Sequence, residues 1–205
     1  MKNKCYIVGA GDNSGTNFNK EINEYVIAAD GGLAVLSEMG IEPNLILGDF
    51  DSLGYIPKGD NVIRHKVEKD DTDMMLAVEI ALKKGYNNIE IYGGTGGRID
   101  HTVANFQTML YASRNGAEIK MIDGQNEYYV ITSGILCFES GRLGDLSAFA
   151  IGGKAANVNI KGAKYTAENI ELTPDNPTAV SNSFIGNEVS ISVGNGSLLI
   201  IAQRK

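Results

Sequence analysis

Cysteine, proline, histidine and tryptophan are all scarce: the 205 residues hold two, four, two and none of them. Cys5 and Cys137 stand far apart with no CxxC-type spacing, so neither a disulfide framework nor a zinc site has support, and both read as reduced, buried thiols. With 43% hydrophobic and 21% charged residues, the composition excludes disorder, collagen and low complexity. No apolar run reaches the roughly 18 residues that span a bilayer. Met1-Lys2-Asn3-Lys4 leads straight into Cys5-Tyr6-Ile7-Val8 without the apolar region of a signal peptide, so the expectation is a cytoplasmic protein with no membrane partner. Positive charge is the other deficit, with 18 Lys and Arg against 25 Asp and Glu, a net charge of -7. Such a molecule repels polyanions, and nucleic acid is not an expected partner.

Up to residue 122, short β-branched runs alternate with helical patterns, which is the mark of a mainly parallel sheet covered by helices. Strands are expected at Tyr6 to Val8, Tyr25 to Ala28, Leu45 to Leu47, Val62 to His65, Ile89 to Tyr92 and Glu118 to Ile122. Helices are expected at Leu33 to Met39, Thr72 to Lys84 and His101 to Arg114, each followed closely by a glycine suited to a left-handed C-cap. In the second helix Met75, Val78, Ala81 and Leu82 form a stripe that reads as core. From Asp123 onward the helical period vanishes and short alternating runs take over, separated by turns such as Gly152-Gly153 and Gly194-Asn195-Gly196. The expected architecture is an α/β domain over residues 1–122 and an antiparallel β-sandwich domain over residues 123–205.

Seven of the twelve aspartates (Asp30, Asp49, Asp51, Asp60, Asp70, Asp71 and Asp73) crowd into 44 residues. Three motifs directly follow strand candidates: Ala29-Asp30-Gly31-Gly32, Gly48-Asp49-Phe50-Asp51-Ser52 and Gly93-Gly94-Thr95-Gly96-Gly97-Arg98. In an open parallel sheet the carboxyl ends of the strands line the ligand crevice, so motifs far apart in sequence converge there. Asp70-Asp71-Thr72-Asp73 opens a helix, with Asp71 or Thr72 as the cap and Asp73 favoured by the dipole of the first turn. Carboxylates gathered in one crevice repel one another unless a cation lies among them. Oxygen donors without His or Cys nearby suit Mg2+, which shares its shell with waters and substrate phosphates. The glycines let backbone N–H groups reach phosphate oxygens, and Arg98 offsets their charge.

Other acidic residues have plainer readings. Asp12, Asp60, Asp71, Asp123 and Asp175 read as turn residues or caps. Asp100-His101 reads either as the N-cap of the following helix or as part of the phosphate site, and His65 as structural. A dinucleotide site is suggested by Gly9-Ala10-Gly11 and Asp30, but the next glycine is Gly15, giving GxGxxxG, and Phe18 to Asn23 is short for a crossover helix. No Walker A sequence occurs.

Taken in order, Ala29-Asp30-Gly31-Gly32, Gly48-Asp49-Phe50-Asp51-Ser52, Glu68-Lys69-Asp70-Asp71-Thr72-Asp73 and Gly93-Gly94-Thr95-Gly96-Gly97-Arg98-Ile99-Asp100-His101 with Asn105 resemble the thiamine pyrophosphokinase family. Gly162-Ala163-Lys164-Tyr165, Val180-Ser181-Asn182-Ser183-Phe184 and Gly196-Ser197-Leu198-Leu199-Ile200-Ile201 resemble its thiamine-binding β domain. The resemblance implies transfer of a pyrophosphoryl group from ATP to the hydroxyl of thiamine, with Mg2+ as cofactor. It implies that Asp49, Asp51 and Asp73 hold the metal, that Asp30 joins the metal shell or orients the thiamine hydroxyl, and that Asp73 or Asp30 accepts its proton. Asp70 and Thr72 would shape the nucleotide pocket. Gly94, Thr95, Gly96, Gly97, Arg98, Asp100 and His101 would bind ATP, with Asn105 in support. Ser181, Asn182 and Phe184 would approach thiamine, at the interface of a homodimer. Some members of the family set a tryptophan against the thiamine ring; here Phe184 or Tyr165 would have to stack instead. A pyrophosphokinase for another hydroxyalkyl heterocycle, such as a hydroxymethyl pterin, and a noncatalytic nucleotide or thiamine sensor are the alternatives.

Overall fold

The computed structural model describes residues 4–18, 20–21, 24–50, 57, 59–64 and 72–204. Six parallel strands, β1 (Lys4–Val8), β2 (Tyr25–Ala29), β3 (Leu45–Gly48), β4 (Val62–Arg64), β5 (Asn88–Tyr92) and β6 (Glu118–Ile122), lie in the order β6-β5-β1-β2-β3-β4. Each strand alternates its apolar residues between two covered faces, which is why the runs read as almost continuously hydrophobic. Cys5, Ile7, Ile89 and Ile91 pack on one face against α2 (Asp73–Lys83) and α3 (Ile99–Arg114). Tyr6, Val8, Val26 and Ala28 pack on the other face beneath α1 (Gly32–Glu38). Among the described residues no helix joins β1 to β2. Phe18 fills that place, stacked on Tyr6 with centroids 4.0 Å apart and on Tyr92 at 5.4 Å.

Register in the middle of the sheet is pinned by charge. Glu90 is buried on β5, where it pairs with Lys4 of β1 at 2.9 Å and with Lys120 of β6. A carboxylate desolvated to that degree needs both partners, and a one-residue slip of either neighbour would turn its lysine to the opposite face.

The sheet continues past residue 122. A turn at Asp123 to Gln125 reverses the chain into β7 (Asn126–Thr132), which pairs antiparallel with β6, Ile122 lying opposite Glu127. Beyond it lie β14 (Ser197–Gln203), β9 (Leu143–Ala150) and β12 (Asn182–Ile185), completing ten strands among the described residues. A second sheet, in the order β11 (Ala167–Leu172), β10 (Ala155–Lys161), β13 (Val189–Ser192), β8 (Ile135–Phe138), packs on this extension. Leu198, Ile200, Leu146 and Phe184 meet Val158, Ile160, Val189 and Ile191 between the layers. The expected fold class, an α/β layer with an antiparallel β-sandwich, is the one present.

Three details differ from expectation. Strands β11 and β12 interrupt their apolar residues with polar ones and are not among the expected strands, and β8, although apolar throughout at Ile135-Leu136-Cys137-Phe138, is not among them either. In α2 the buried stripe is Met74, Ala77, Val78 and Ala81, with Met75 and Leu82 only half-buried, because the helix is rotated by about one position from the expected face. Cys5 is buried, which pushes its thiol pKa up, but Cys137 is exposed. On β8 it points outward between the inward Leu136 and Phe138. His65 and Asp71 lie outside the described residues.

Leu198 is fully buried between the two layers. Leu198→Ala is expected to lower the unfolding free energy by about 3 kcal/mol in urea denaturation, without changing the far-UV circular dichroism of the folded state.

Candidate active site

The carboxyl ends of β1, β2 and β5 open on a crevice of about 420 Å3. One wall is a pair of glycine turns fastened to each other by main-chain bonds. Gly9 N donates to Tyr92 O at 2.8 Å, Gly11 N to Gly93 O at 2.9 Å and Asp12 N to Thr95 O at 2.6 Å. Only glycine permits this approach: a Cβ on Gly11 would stand 2.1 Å from Thr95 O, and Gly93 has φ +65° with Gly9 O 2.3 Å from where its Cβ would be. The Asn13 amide donates to both Gly9 O and Gly11 O at 3.0 Å. From α3, buried Asn105 donates to Gly94 O at 2.7 Å.

The carbonyls of Gly93, Gly94 and Thr95 are thereby engaged within the protein. Among the described residues, no N–H of Gly94, Thr95, Gly96 or Gly97 donates to a protein acceptor. A run of such donors on the approach to a helix is a cradle for an anion. Arg98 and His101 stand at its rim and line the crevice, as do Thr102 and Met74.

The opposite wall is acidic. Asp30 ends β2 with φ +50°, a left-handed conformation uncommon outside glycine, asparagine and aspartate. Its N–H donates to Leu47 O at 2.8 Å, which draws the ends of β2 and β3 together. Asp49 follows β3, and Asp73 is the first residue of α2, whose N-cap is Thr72 accepting from Met75 N at 3.2 Å. Asp30, Asp49, Thr72 and Asp73 all line the crevice. Asp51 and Asp70 lie outside the described residues. Among the described residues no three His, Cys, Asp or Glu side chains form a ready-made metal cage. Asp49 and Asp73, two of the three carboxylates in a crevice that also holds the glycine turn, nevertheless suit Mg2+, which takes one or two protein carboxylates and completes its octahedron with waters and substrate phosphates.

Two residues expected at the nucleotide do not line this crevice. Asp100 is exposed and forms a forked pair with Arg98, Nε to Oδ1 at 3.1 Å; that bond holds its carboxyl below the usual range. Arg98, not Asp100, is the N-cap of α3, and Asp100 lies in its first turn. Gly96 turns toward Asp12, outside the crevice.

The expected thiamine residues lie elsewhere. Strand β12 is the edge of the sheet, separated from β1 by β9, β14, β7, β6 and β5, roughly 29 Å at the usual strand spacing. Ser181 is exposed there, with φ +60°. Asn182 is 5% exposed, accepting from Tyr165 N at 2.9 Å and donating to Tyr165 O at 2.7 Å. Phe184 is 2% exposed, edge-on to Phe138 and beneath the Arg142 guanidinium. With no open face, it cannot stack on a ligand, and that expectation is corrected. Tyr165, clamped by Asn182, is 59% exposed.

The absence of a described helix between β1 and β2 removes the helix N-terminus that a dinucleotide pyrophosphate would need behind Gly9-Ala10-Gly11. Those glycines belong to the site all the same, as does Asn13 behind them. Asp123 builds a turn as expected, accepting from Gln125 N and Asn126 N. It also accepts from the Thr95 hydroxyl, a contact between residues 28 apart in sequence that no local pattern signals.

Burial pushes the Asp123 carboxyl upward, but bonds from Tyr128, Gln125, Asn126 and Thr95 outweigh it, and the net pKa is lowered. A carboxyl with a lowered folded pKa stabilises the fold above its unfolded value, about 3.9, and that contribution is lost as pH falls through the folded value. The urea midpoint of the wild-type chain is therefore expected to fall below about pH 4, and Asp123→Asn, lacking the contribution at neutral pH, to show a lower midpoint at pH 7 and a shallower acid decline.

Residues 19–121 match the family model of the thiamin pyrophosphokinase catalytic domain. Residues 144–198 match that of the thiamin pyrophosphokinase vitamin B1 binding domain. Thiamine pyrophosphokinase of Bacillus subtilis strain 168 is 30% identical over an alignment of 182 positions that covers 85% of this chain and 85% of that protein. The crystal structure of thiamine pyrophosphokinase from Bacillus subtilis superposes with a TM-score of 0.85 at 26% identity, over 98% of this chain and 99% of the other. That of the Geobacillus thermodenitrificans protein gives 0.81 at 26% identity, over 98% of each chain.

Proposed function

The chain belongs to the thiamine pyrophosphokinase family, and from that premise we propose how its residues divide the work of moving a pyrophosphoryl group from ATP to thiamine. The observation that carries the reading is one crevice lined both by Gly94, Thr95 and Gly97, whose N–H groups donate to no described protein acceptor, and by Asp30, Asp49 and Asp73. Anion donors and carboxylates share a crevice sensibly only when phosphates and a cation lie between them.

In this reading the glycine turn receives the ATP phosphates, and Arg98 and His101 at the rim offset their charge. Asp49 and Asp73, with Asp51 of the same motif, hold Mg2+, which when bound neutralises phosphate oxygens and fixes their orientation. Thr72 sets the start of α2 beside the nucleotide, Asp70 is assigned to the nucleotide on the family motif alone, and Asp100 keeps Arg98 in place through their forked pair. The thiamine hydroxyl attacks the β-phosphorus, forming the new O–P bond as the bond from that phosphorus to the AMP oxygen breaks. Its proton passes to a carboxylate on the acidic wall, Asp30 or Asp73. The products are thiamine diphosphate and AMP.

Thiamine itself is assigned to residues 123–205, the nucleotide to residues 1–122. The exposed ring of Tyr165 offers the aromatic face that tryptophan would otherwise supply to a cationic heterocycle, with Ser181 beside it and Asn182 locking the loop. Because these residues stand far from the crevice of their own chain, the acceptor site is proposed to form where this edge of one protomer meets the crevice of a second. Leu143, Val180 and Ile185, exposed apolar residues near β12, suit such burial. No described helix is long and apolar enough to cross a membrane. The cytoplasm is the proposed location, in keeping with two unpaired cysteines.

AMP formation from ATP, Mg2+ and thiamine tests the reading. Asp49→Asn and Asp73→Asn are expected to lower turnover by about 100-fold or more with unchanged thermal unfolding; near-normal turnover in both would overturn the metal assignment, and consumption of a hydroxymethyl pterin in place of thiamine would overturn the substrate. The shared site makes a separate prediction. Equal amounts of inactive Asp49→Asn and Tyr165→Ala chains, unfolded and refolded together, should regain about a quarter of wild-type activity, since half the dimers are hybrids with one intact site; no recovery would show that each protomer works alone.

A further inference from the structure

We propose that Asp123 is a positioning residue for the nucleotide, gripping the glycine turn from behind the crevice through the Thr95 hydroxyl. The inference rests on the nucleotide reading above and adds a residue that touches neither substrate.

Asp123 follows β6, is 7% exposed and does not line the crevice. Its two oxygens face different ways. Oδ1 accepts from Gln125 N at 2.8 Å and Asn126 N at 2.7 Å, which suffices to build the turn into β7. Oδ2 accepts from Thr95 Oγ1 at 2.9 Å and Tyr128 OH at 2.6 Å. An asparagine could build the same turn with its single carbonyl oxygen, but the remaining NH2 could not accept from either hydroxyl. A carboxylate is needed only if the hold on Thr95 and Tyr128 matters.

Between Gly93 and Gly97, Thr95 is the one residue with a side chain, and therefore the one handle by which the turn can be held from outside its main chain. Glycine-rich backbone has many conformations open to it, and phosphate binding requires one of them. Thr95 is secured twice, by its carbonyl accepting from Asp12 N at 2.6 Å and by its hydroxyl on Asp123. The anchor is itself fixed: Arg204 Nη1 donates to Asp123 O at 2.8 Å and to Gly15 O at 3.1 Å, and Arg204 N donates to Gln125 O at 2.8 Å. The β6–β7 turn and the end of β14 thus brace a binding turn built from the parallel half of the sheet.

Steady-state kinetics with ATP and thiamine varied separately test this. Asp123→Asn and Thr95→Val are each expected to raise KM for ATP about tenfold, with KM for thiamine within about twofold. Because they act through one bond, the double variant is expected to be no worse than the weaker-binding single. Tyr128→Phe spares the Thr95 bond and is expected to keep KM for ATP within about twofold. Thr95→Val leaves the turn at Asp123 intact, so it carries the test if Asp123→Asn does not fold. An unchanged KM for ATP in folded Thr95→Val overturns the inference. So do single effects that multiply in the double variant, or a Tyr128→Phe effect equal to that of Asp123→Asn, which would mark a general structural role. If the wild-type chain forms no AMP, the functional reading falls and the inference with it; if the wild type is active while Thr95→Val matches it, the inference alone falls.

Discussion

The close approach of two main chains, at residues 9–12 and 93–95, is the constraint on which the crevice depends. Three N–H donors of the first turn are absorbed by carbonyls of β5 and its following turn, so the second turn has its carbonyls occupied while its own N–H groups stay available. Any side chain at Gly11 would collide with Thr95 O. The turns can approach only because β1 and β5 are parallel neighbours in matched register, Val8 beside Tyr92. That register is held by Glu90 between Lys4 and Lys120 on the same sheet. A charge cluster centred on the middle of β5 and an open turn at its carboxyl end are thus consequences of one alignment.

The acidic surplus takes on a physical meaning in this setting. A net charge of -7 disfavours polyanions at a distance, yet Asp30, Asp49 and Asp73 line one crevice, and in the proposed reading they attract the cation that makes phosphate acceptable there. The same negative field suits a cationic acceptor. Asp123 adds a carboxylate of another kind, whose four hydrogen bonds consume its acceptor capacity within the protein, so that it holds structure and has no oxygen to spare for a ligand.

Much of this was legible in the sequence. Apolar runs at Tyr6 to Val8 and Ile89 to Tyr92, the glycines after each helix and the aspartates after β2 and β3 are local patterns, and each stands where expected. The stacked sheets of the second half were legible as a class, because burial alternates with period two in β7 and β9 and β14 is a short apolar run. Strand β12 was not, since Asn182 to Ile185 interleaves polar residues whose burial depends on neighbours. The texture change at residue 123 marks the end of the helices, but the sheet itself continues, because the β6–β7 turn keeps hydrogen bonding unbroken from Ile122 to Glu127.

By itself, then, the sequence determined what elements form and which residue types stand at their ends, for periodicity, capping and turn chemistry act over a few residues. Only the tertiary structure decided what those ends do. Phe184 looked available beside Ser181 and Asn182, yet packing against Phe138 and Arg142 buries it. Asp123 looked like any turn aspartate, yet it meets Thr95 across 28 residues, and Arg204 meets Gly15 across 189. Such contacts are set by sheet order and by which face a strand presents, quantities that belong to the folded chain as a whole and leave no mark on the residues to either side.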